Sequence, residues 1–220
     1  MRPLTRAYET QAADGRFGEH WAGPPEMVDR IVDVVGTGAD RFVLDLGCGL
    51  GGPARRLTEL VGCSVVGVDL VVPVLAEARR RSPSTIRYVA ASGERLPFGR
   101  ATFDEVWSLG VVAHVPDLRL FAAEATRVLC PGGALVVTEA FWDGRRRPRF
   151  ADAAPQPWRP LMTEELASSL VTAGMAEVSL MEWPGRGFSS DEDTQDPLLR
   201  ADLLEGTLRS GMVMARKPRV

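Results

Sequence analysis

The sequence predicts an α/β fold built on a parallel sheet, and three observations carry that expectation. Apolar runs of strand length alternate with amphipathic runs of helical period. One strand-like run opens directly into a glycine-rich turn and then a helix, as a β-α-β unit requires. The length of 220 residues suits one compact domain with a sizeable core, whereas two full domains would each be small. No internal repeat or low-complexity linker interrupts the alternation.

Residues 1–24 read as a polar arm or cap that ends in Phe17-Gly18-Glu19-His20-Trp21. The first helix is expected from Pro25 to Val35, with Met27, Ile31, Val34 and Val35 at helical spacing and paired prolines at its entry. Then follow a strand from Phe42 to Leu46, a helix from Gly52 to Leu60, a strand from Ser64 to Leu70 and a helix from Pro73 to Arg81. Pro73 suits a first helical position because its missing N–H is unbonded there anyway. Ile86 to Ala90 and Phe103 to Leu109 read as strands three and four, Leu118 to Leu129 as a helix, and Ala134 to Ala140 as strand five. Pro131-Gly132-Gly133 reads as the turn before that fifth strand. Residues 25–141 thus form one core. Within 142–220, an Arg- and Pro-rich stretch through Pro160 reads as a loop or lid. A helix is expected from Thr163 to Ala173, with Thr163 as cap and two glutamates near its N-terminus. Strands from Glu177 to Trp183 and Gly211 to Arg216 complete the sheet, separated by a segment too long for a tight hairpin.

Composition narrows the function. With 26 basic against 29 acidic residues the formal charge is -3, which gives no general pull toward phosphate backbones, so nucleic acid is not an expected partner. The apolar runs are of strand length, short of the roughly 20 residues that span a bilayer, so no membrane span is expected. Cys48, Cys63 and Cys130 have neither zinc nor redox spacing, and no charged-then-apolar leader is read at the start. A reducing, cytoplasmic compartment follows as the expectation. Lys217 is the only lysine and asparagine is absent, a bias that points to a GC-rich genome.

The most informative run is Val43-Leu44-Asp45-Leu46-Gly47-Cys48-Gly49-Leu50-Gly51-Gly52. A strand that enters such a turn brings backbone amides close to a ligand at the carboxyl end of the sheet. Gly47, Gly49 and Gly52 satisfy GxGxxG, while Gly47, Gly49 and Gly51 satisfy GxGxG, and either pattern alone is weak. Charge discriminates between ligands. Asp45 would set a negative charge near a dinucleotide's pyrophosphate, whereas a ligand with an ammonium and a sulfonium would welcome it. Asp69 ends the next strand, one β-α-β unit on, where a carboxylate accepts hydrogen bonds from ribose hydroxyls.

Between roughly Arg41 and Phe141 the sequence resembles the class I S-adenosylmethionine-dependent methyltransferases. The matching pieces, in order, are Val43 to Gly51, Val66 to Leu70, Leu96-Pro97-Phe98, Phe103 to Val106, His114-Val115-Pro116-Asp117 and Arg127-Val128-Leu129 with Pro131-Gly132-Gly133. The Leu96 to Phe98, HVPD and RVL-x-PGG runs are similar to the small-molecule branch of ubiquinone- and menaquinone-biosynthesis-like enzymes, and Gly211 to Pro218 is similar to its last strand. The resemblance implies a Rossmann-like seven-stranded sheet in the order 3-2-1-4-5-7-6 with the last strand antiparallel, and S-adenosyl-L-methionine as cofactor. It implies that Asp45, Gly47, Gly49 and Gly51 surround the methionine part, Asp69 holds the ribose, and Leu70 lies against the adenine. Ser92, Gly93 and Glu94 fall where the family has a Gly-Asp-Ala type sequence, so Ser92 replaces the acid that accepts from the adenine amino group, or Glu94 substitutes for it. Ser108, Leu109 and Gly110 would lie beside the methionine moiety.

Methyl transfer is an in-line displacement that asks for alignment and, with hydroxyl or ammonium acceptors, a base. Histidine is the natural base near neutral pH, and only His20 and His114 exist. His114 follows the fourth strand and Glu139 ends the fifth, so neighbouring strands deliver both toward the crevice. One reading is a Glu-oriented His base; the other is that His114 caps the turn before the Asp117 helix while Glu139 bonds the loop. The implied closing of the arm over the cofactor makes His20 either a substrate contact or an exposed cap residue. Trp21, Trp142, Trp158 and Trp183 would surround the mouth as aromatic walls or pack the cap. Arg145, Arg146, Arg147 and Arg149 would recognise an anionic substrate group or form a solvated loop. Asp191-Glu192-Asp193 has no metal-like spacing, and no metal is expected. The expected function is methyl transfer to a small-molecule acceptor of bacterial secondary metabolism, by a monomer or homodimer; the rival is a fold relative that binds the cofactor for a non-methylating reaction such as a cyclisation.

Overall fold

The computed structural model describes residues 25–154, 158–182 and 197–219. The expected arm or cap with His20 and Trp21 lies outside the described residues, as do Trp183 and the acidic run Asp191-Glu192-Asp193. Seven strands, β1 (Phe42–Leu46), β2 (Ser64–Asp69), β3 (Arg87–Ala90), β4 (Phe103–Leu109), β5 (Leu129–Trp142), β6 (Ala176–Glu182) and β7 (Leu208–Arg216), form one sheet in the order β3-β2-β1-β4-β5-β7-β6. The five strands from β3 to β5 are parallel, and β7 runs antiparallel to both of its neighbours. Order and polarity match the expectation.

Helices α1 (Pro25–Val35), α2 (Gly52–Val61) and α3 (Val72–Arg81) cover one face of the sheet, and α4 (Leu118–Val128) and α6 (Thr163–Thr172) the other. On the first face Ile31, Leu57 and Leu75 pack on Val43, Val65 and Trp107. On the second, Phe121, Ala125 and Leu166 pack on Leu44, Val106 and Leu135. Burial on both faces is why β1, β2, β4 and the middle of β5 read as continuous apolar runs. Buried acids interrupt them, Asp45 in β1, Glu105 in β4 and Glu139 in β5, and Glu105 accepts from Thr37 Oγ1 at 2.7 Å and Trp107 Nε1 at 2.9 Å.

Local chemistry sets the helix ends. Gly62 closes α2 at φ 74° and donates to the Thr58 carbonyl, and Asp117 caps α4 by accepting from the amides of Arg119 and Leu120. At the far end of α4, Lys217 donates to the carbonyls of Thr126 and Leu129. The lone lysine is therefore a helix clasp on the last strand's tail.

The structure corrects several boundaries. Pro131-Gly132-Gly133 is no turn between elements but a bulge inside β5, where Leu129 faces Phe103 and Ala134 already faces Glu105. Gly132 sits at φ 79°, and a Cβ on Gly133 would lie 2.7 Å from the Asp104 carbonyl oxygen. Thr163 does not cap α6: Met162 holds that position and no side chain bonds the end. Two short helices arise where none was expected. α5 (Phe150–Ala153) lies in the Arg- and Pro-rich stretch, and α7 (Pro197–Leu204) in the long segment before β7. The leucines of α7 come in adjacent pairs, which leaves little one-sided periodicity to read.

Candidate active site

The order of the parallel strands reverses between β1 and β4, and ligands in open α/β sheets bind beyond the carboxyl ends at such a point. The glycine turn stands there. Gly47, Gly49 and Gly51 take φ of 82°, 51° and 75°, whereas Gly52 already opens α2, so GxGxG is the pattern that describes the turn. A Cβ on Gly47 would approach Val111 Cγ2 to 2.3 Å, and one on Gly51 would approach the Tyr88 hydroxyl to 2.1 Å. At Gly49 nothing among the described residues lies within 4 Å of an added Cβ, so the backbone is bare on the side open to a ligand. The Gly47 and Cys48 amides hold the turn by donating to the Val68 carbonyl at 2.7 and 2.9 Å.

Two acids flank this turn. Asp45 is 4% exposed, takes one bond from the Ala54 amide, and its Oδ2 meets no donor among the described residues. Burial, reinforced by the neighbouring Asp69 charge, pushes its pKa up to about 7. Asp69 accepts from the Gly49 amide at 3.0 Å and the Val71 amide at 2.9 Å, and burial raises its pKa also. The sequence points to Asp69 as a ribose ligand; it does not reveal that the same carboxylate locks the glycine turn to β2. With a third bond from the Leu70 amide, one of the carboxylate's four lone-pair sites remains for a further donor. Leu70 packs beside Leu50, Val71 and Val74, an apolar patch next to that acid.

Past β3, Ser92 and Glu94 are bonded to each other, with the Glu94 amide on Ser92 Oγ at 3.2 Å and Ser92 Oγ on Glu94 Oε2 at 3.3 Å. Glu94 Oε1 accepts from the Asp117 amide at 2.8 Å, so this acid also braces the start of α4. Gly93 abuts Phe121 and Leu46. At the end of β4, Leu109 is buried and Gly110, at φ 68°, donates to the Thr138 carbonyl at 2.8 Å. The buried hydroxyls of Ser108 and Thr138 have no partner among the described residues.

His114 closes a three-residue 3-10 turn, Val112–His114, and is half-buried. Glu139 is buried, its Oε2 accepting from the Ala113 amide at 3.1 Å and its Oε1 from the Ala140 amide at 3.0 Å. Burial carries its pKa to about 7 against those two bonds. The acid thus meets the main chain next to His114. Of the mouth residues, Trp158 packs edge-on against Phe150 at 5.1 Å, and Trp142 Nε1 donates to the Arg146 carbonyl. Trp142, Phe141, Leu180 and Arg145 line a groove of about 290 Å³ at the end of β5. Arg146 and Arg149 bond to Glu205 and Arg147 to Asp152, so three of the four basic side chains fold back on acids of the same chain.

A methyltransferase domain model matches residues 44–137, the span from β1 to the middle of β5. The malonyl-[acyl-carrier protein] O-methyltransferase of Enterobacter lignolyticus is 38% identical over 167 residues, covering 72% of this chain and 66% of that protein. Residues 44–137 are a methyltransferase domain of the class I S-adenosylmethionine-dependent kind. It spans less than two thirds of the length of the curated relatives first matched. Geranyl diphosphate C-methyltransferase from Streptomyces coelicolor, solved with S-adenosyl-L-homocysteine, has the same fold at TM-score 0.74 and 18% identity, covering 87% of this chain and 78% of that one. The [4+2]-cyclase SpnF shares it too, at TM-score 0.71 and 22% identity over 88% of this chain and 81% of its own.

S-adenosylmethionine is the cofactor of this family, and the site fits it on its own terms. A buried carboxylate oxygen without a donor, beside a second carboxylate, suits a ligand that carries ammonium and sulfonium charges. Bare backbone at Gly49 lets that ligand approach. Other family motifs hold the fold instead of a ligand. Arg127 donates to the carbonyls of Phe98 and Leu96 while its partner Glu124 accepts from the Leu96 amide, so the Leu96 to Phe98 and RVL runs are two halves of one clamp. Tyr88, which no motif indicates, supports the turn from below, over Gly51 and Gly67. Among the described residues no group of three potential ligands could hold a metal, and no helix is long and apolar enough to cross a membrane.

Proposed function

We propose that this protein transfers the methyl group of S-adenosylmethionine to a small-molecule acceptor of bacterial secondary metabolism in the cytoplasm. The observation that carries the reading is Asp45, whose donorless oxygen is buried beside Asp69 at a turn with bare backbone. When bound, the cofactor supplies a methyl group on a positive sulfur: the bond from sulfur to methyl breaks as the acceptor's lone pair forms a new one, and sulfur keeps the electrons as a neutral thioether. The chain's part is to hold that charge and align the acceptor, and alignment alone can lower a barrier by several kcal/mol.

In this reading Asp45, Gly47, Gly49, Gly51, Leu109 and Gly110 surround the methionine part. Asp69 receives the ribose hydroxyls, Leu70 lines the adenine, and Ser92 with Glu94 meets the adenine amino group. His114 takes the proton an oxygen or nitrogen acceptor loses, and Glu139 holds the turn on which it stands. A small acceptor is favoured over nucleic acid because the one basic run at the mouth is largely neutralised by Glu205 and Asp152. The relatives named above methylate oxygen in one case and carbon in another. The acceptor is therefore chosen by residues around the mouth and not by the glycine turn.

The test is turnover with S-adenosylmethionine and a panel of hydroxylated and amine-bearing small molecules, followed by S-adenosylhomocysteine release. The fold likeness to a [4+2]-cyclase keeps one second reading in play, a reaction that uses the cofactor without consuming it. Product formed with no S-adenosylhomocysteine would select that second reading and end the first.

A further inference from the structure

The Val112–His114 turn is too short to hold itself. Its internal bonds are those of the His114 amide to the Val111 carbonyl at 2.9 Å and the Val115 amide to the Val112 carbonyl at 3.2 Å. Ala113, at its centre, is 2% exposed, so both its N–H and its C=O need partners from elsewhere. The N–H finds Glu139 Oε2 at 3.1 Å, and the C=O accepts from the Arg159 amide at 3.0 Å. The second jaw is itself anchored, since the Trp142 amide donates to the Leu161 carbonyl at 2.8 Å, two residues beyond Arg159. Leu161 is wholly buried. Both jaws therefore start from the last turns of one strand, Glu139 by its side chain and Trp142 by its main chain.

We propose that Glu139 is a positioning residue that acts through the backbone: together with the main chain of Arg159 it grips the two peptide groups flanking Ala113 and so sets where the His114 ring stands. Held this way, the ring's place is referred to β5 as well as to β4, from which its turn emerges. The segment 158–162, which borders the mouth, becomes part of the same frame. An acceptor that shifts this segment shifts His114 with it. The catalytic consequence rests on the reading of His114 as base; the mechanical grip does not.

The chain's two histidines make the test clean, because substituting His20→Gln assigns the imidazole signals of His114 in nuclear magnetic resonance spectra. The comparison is between the unaltered protein, Glu139→Leu and Glu139→Gln, each with S-adenosylhomocysteine as probe. Leucine removes both acceptor oxygens; glutamine keeps one and turns a donor toward the other amide. Expected are a loss of Ala113 amide exchange protection of about tenfold or more with leucine and less with glutamine, and displaced His114 ring signals in both. Protection in the middle of α4 and affinity for S-adenosylhomocysteine stay as they were. An Ala113 amide equally protected in both variants, or unmoved His114 signals, overturns the proposal; if the leucine variant does not fold, the glutamine variant decides alone. Failure here and failure of the base are separable. A His114→Ala protein that still turns over removes the base while leaving the Ala113 measurement untouched, and an unmoved Ala113 amide removes the grip while leaving the base.

Discussion

The two halves of the sheet are held by different kinds of bond. Around β1, β2 and the glycine turn, polar groups meet backbone amides and carbonyls: Asp69 on Gly49 and Val71, Gly47 and Cys48 on Val68. Around the ends of β5, β6 and β7 the prominent bonds are exposed ion pairs, Arg146 and Arg149 with Glu205, Arg147 with Asp152, Arg209 with Glu182. The first kind tolerates few side chains, because left-handed glycines and buried carboxylates leave no slack. The second is worth about 0 to 1 kcal/mol per pair and is easily redrawn. The half proposed to handle the cofactor is thus rigidly specified, and the ion-paired ends of β5, β6 and β7, proposed to face the acceptor, are freer to change.

The sharpest way to break this comparison is Gly47→Ala. A left-handed φ costs about 1 to 2 kcal/mol for a non-glycine residue, and overlap with Val111 adds about 1 to 3. Loss of S-adenosylhomocysteine binding with a lowered Tm is expected from calorimetry, and a variant that binds normally would mean the turn is looser than its φ values indicate. Next in size, His114→Ala should cut turnover about 100-fold if the ring removes the acceptor's proton. Cofactor affinity should hold, since the proposed function sets the ring on the acceptor side. If Asp69 holds the ribose, Asp69→Ala removes charge-assisted bonds to it as well as freeing the Gly49 amide, so S-adenosylhomocysteine should bind about 1.5 to 3 kcal/mol more weakly. Unchanged affinity would take the ribose away from β2.

Legibility in the sequence follows the same division. The glycine turn and Asp69 are local patterns, each readable within a few residues, and the strand order came from the family resemblance that these and the downstream motifs carry. Of the grip on Ala113 the Glu139 half was readable, as the reading in which that acid bonds the loop, but the Arg159 half was not, because it joins a turn to a distant loop through main-chain groups that carry no sequence signal. The arginine run left both of its readings open for a related reason. Its charge is visible, but the acid that neutralises Arg146 and Arg149 lies far along the chain at Glu205, after a helix with weak periodicity. Strand β6 is exposed along most of its length and bulges near Glu177, at φ 50°, so its apolar pattern speaks faintly too.

Acidity offers a smaller, graded test of the cofactor half. Asp45 and Glu139 have folded pKa values raised to about 7, above the ordinary carboxylate range, and Asp69 is raised as well. The folded protein then binds more protons than the unfolded chain between about pH 4 and 7, so the ligand-free protein loses stability as pH rises through that window. S-adenosylmethionine binding has the opposite sign, because a cation favours the ionised carboxylate. Affinity should fall about tenfold per pH unit below 7 and level off above it, with proton release detectable by calorimetry in two buffers. A flat profile from about pH 6 to 8 would remove Asp45 from the cation's neighbourhood.

The smallest expected effect comes from the other half. Glu205→Ala breaks the contacts of Arg146 and Arg149 at once, yet all three side chains are well exposed, so the cost should stay near 1 kcal/mol. Cofactor affinity should not move, because no bond from this cluster reaches the glycine turn. Two guanidinium groups would, however, be released beside the groove at Arg145, giving the mouth the anion-binding character that the ion pairs now suppress. Acceptor preference should shift toward carboxylate- or phosphate-bearing molecules, and the shift should fade with added salt. A Glu205→Ala protein that loses its cofactor, or melts several degrees lower, would show that the two halves are mechanically one and that the acceptor side is not free to change.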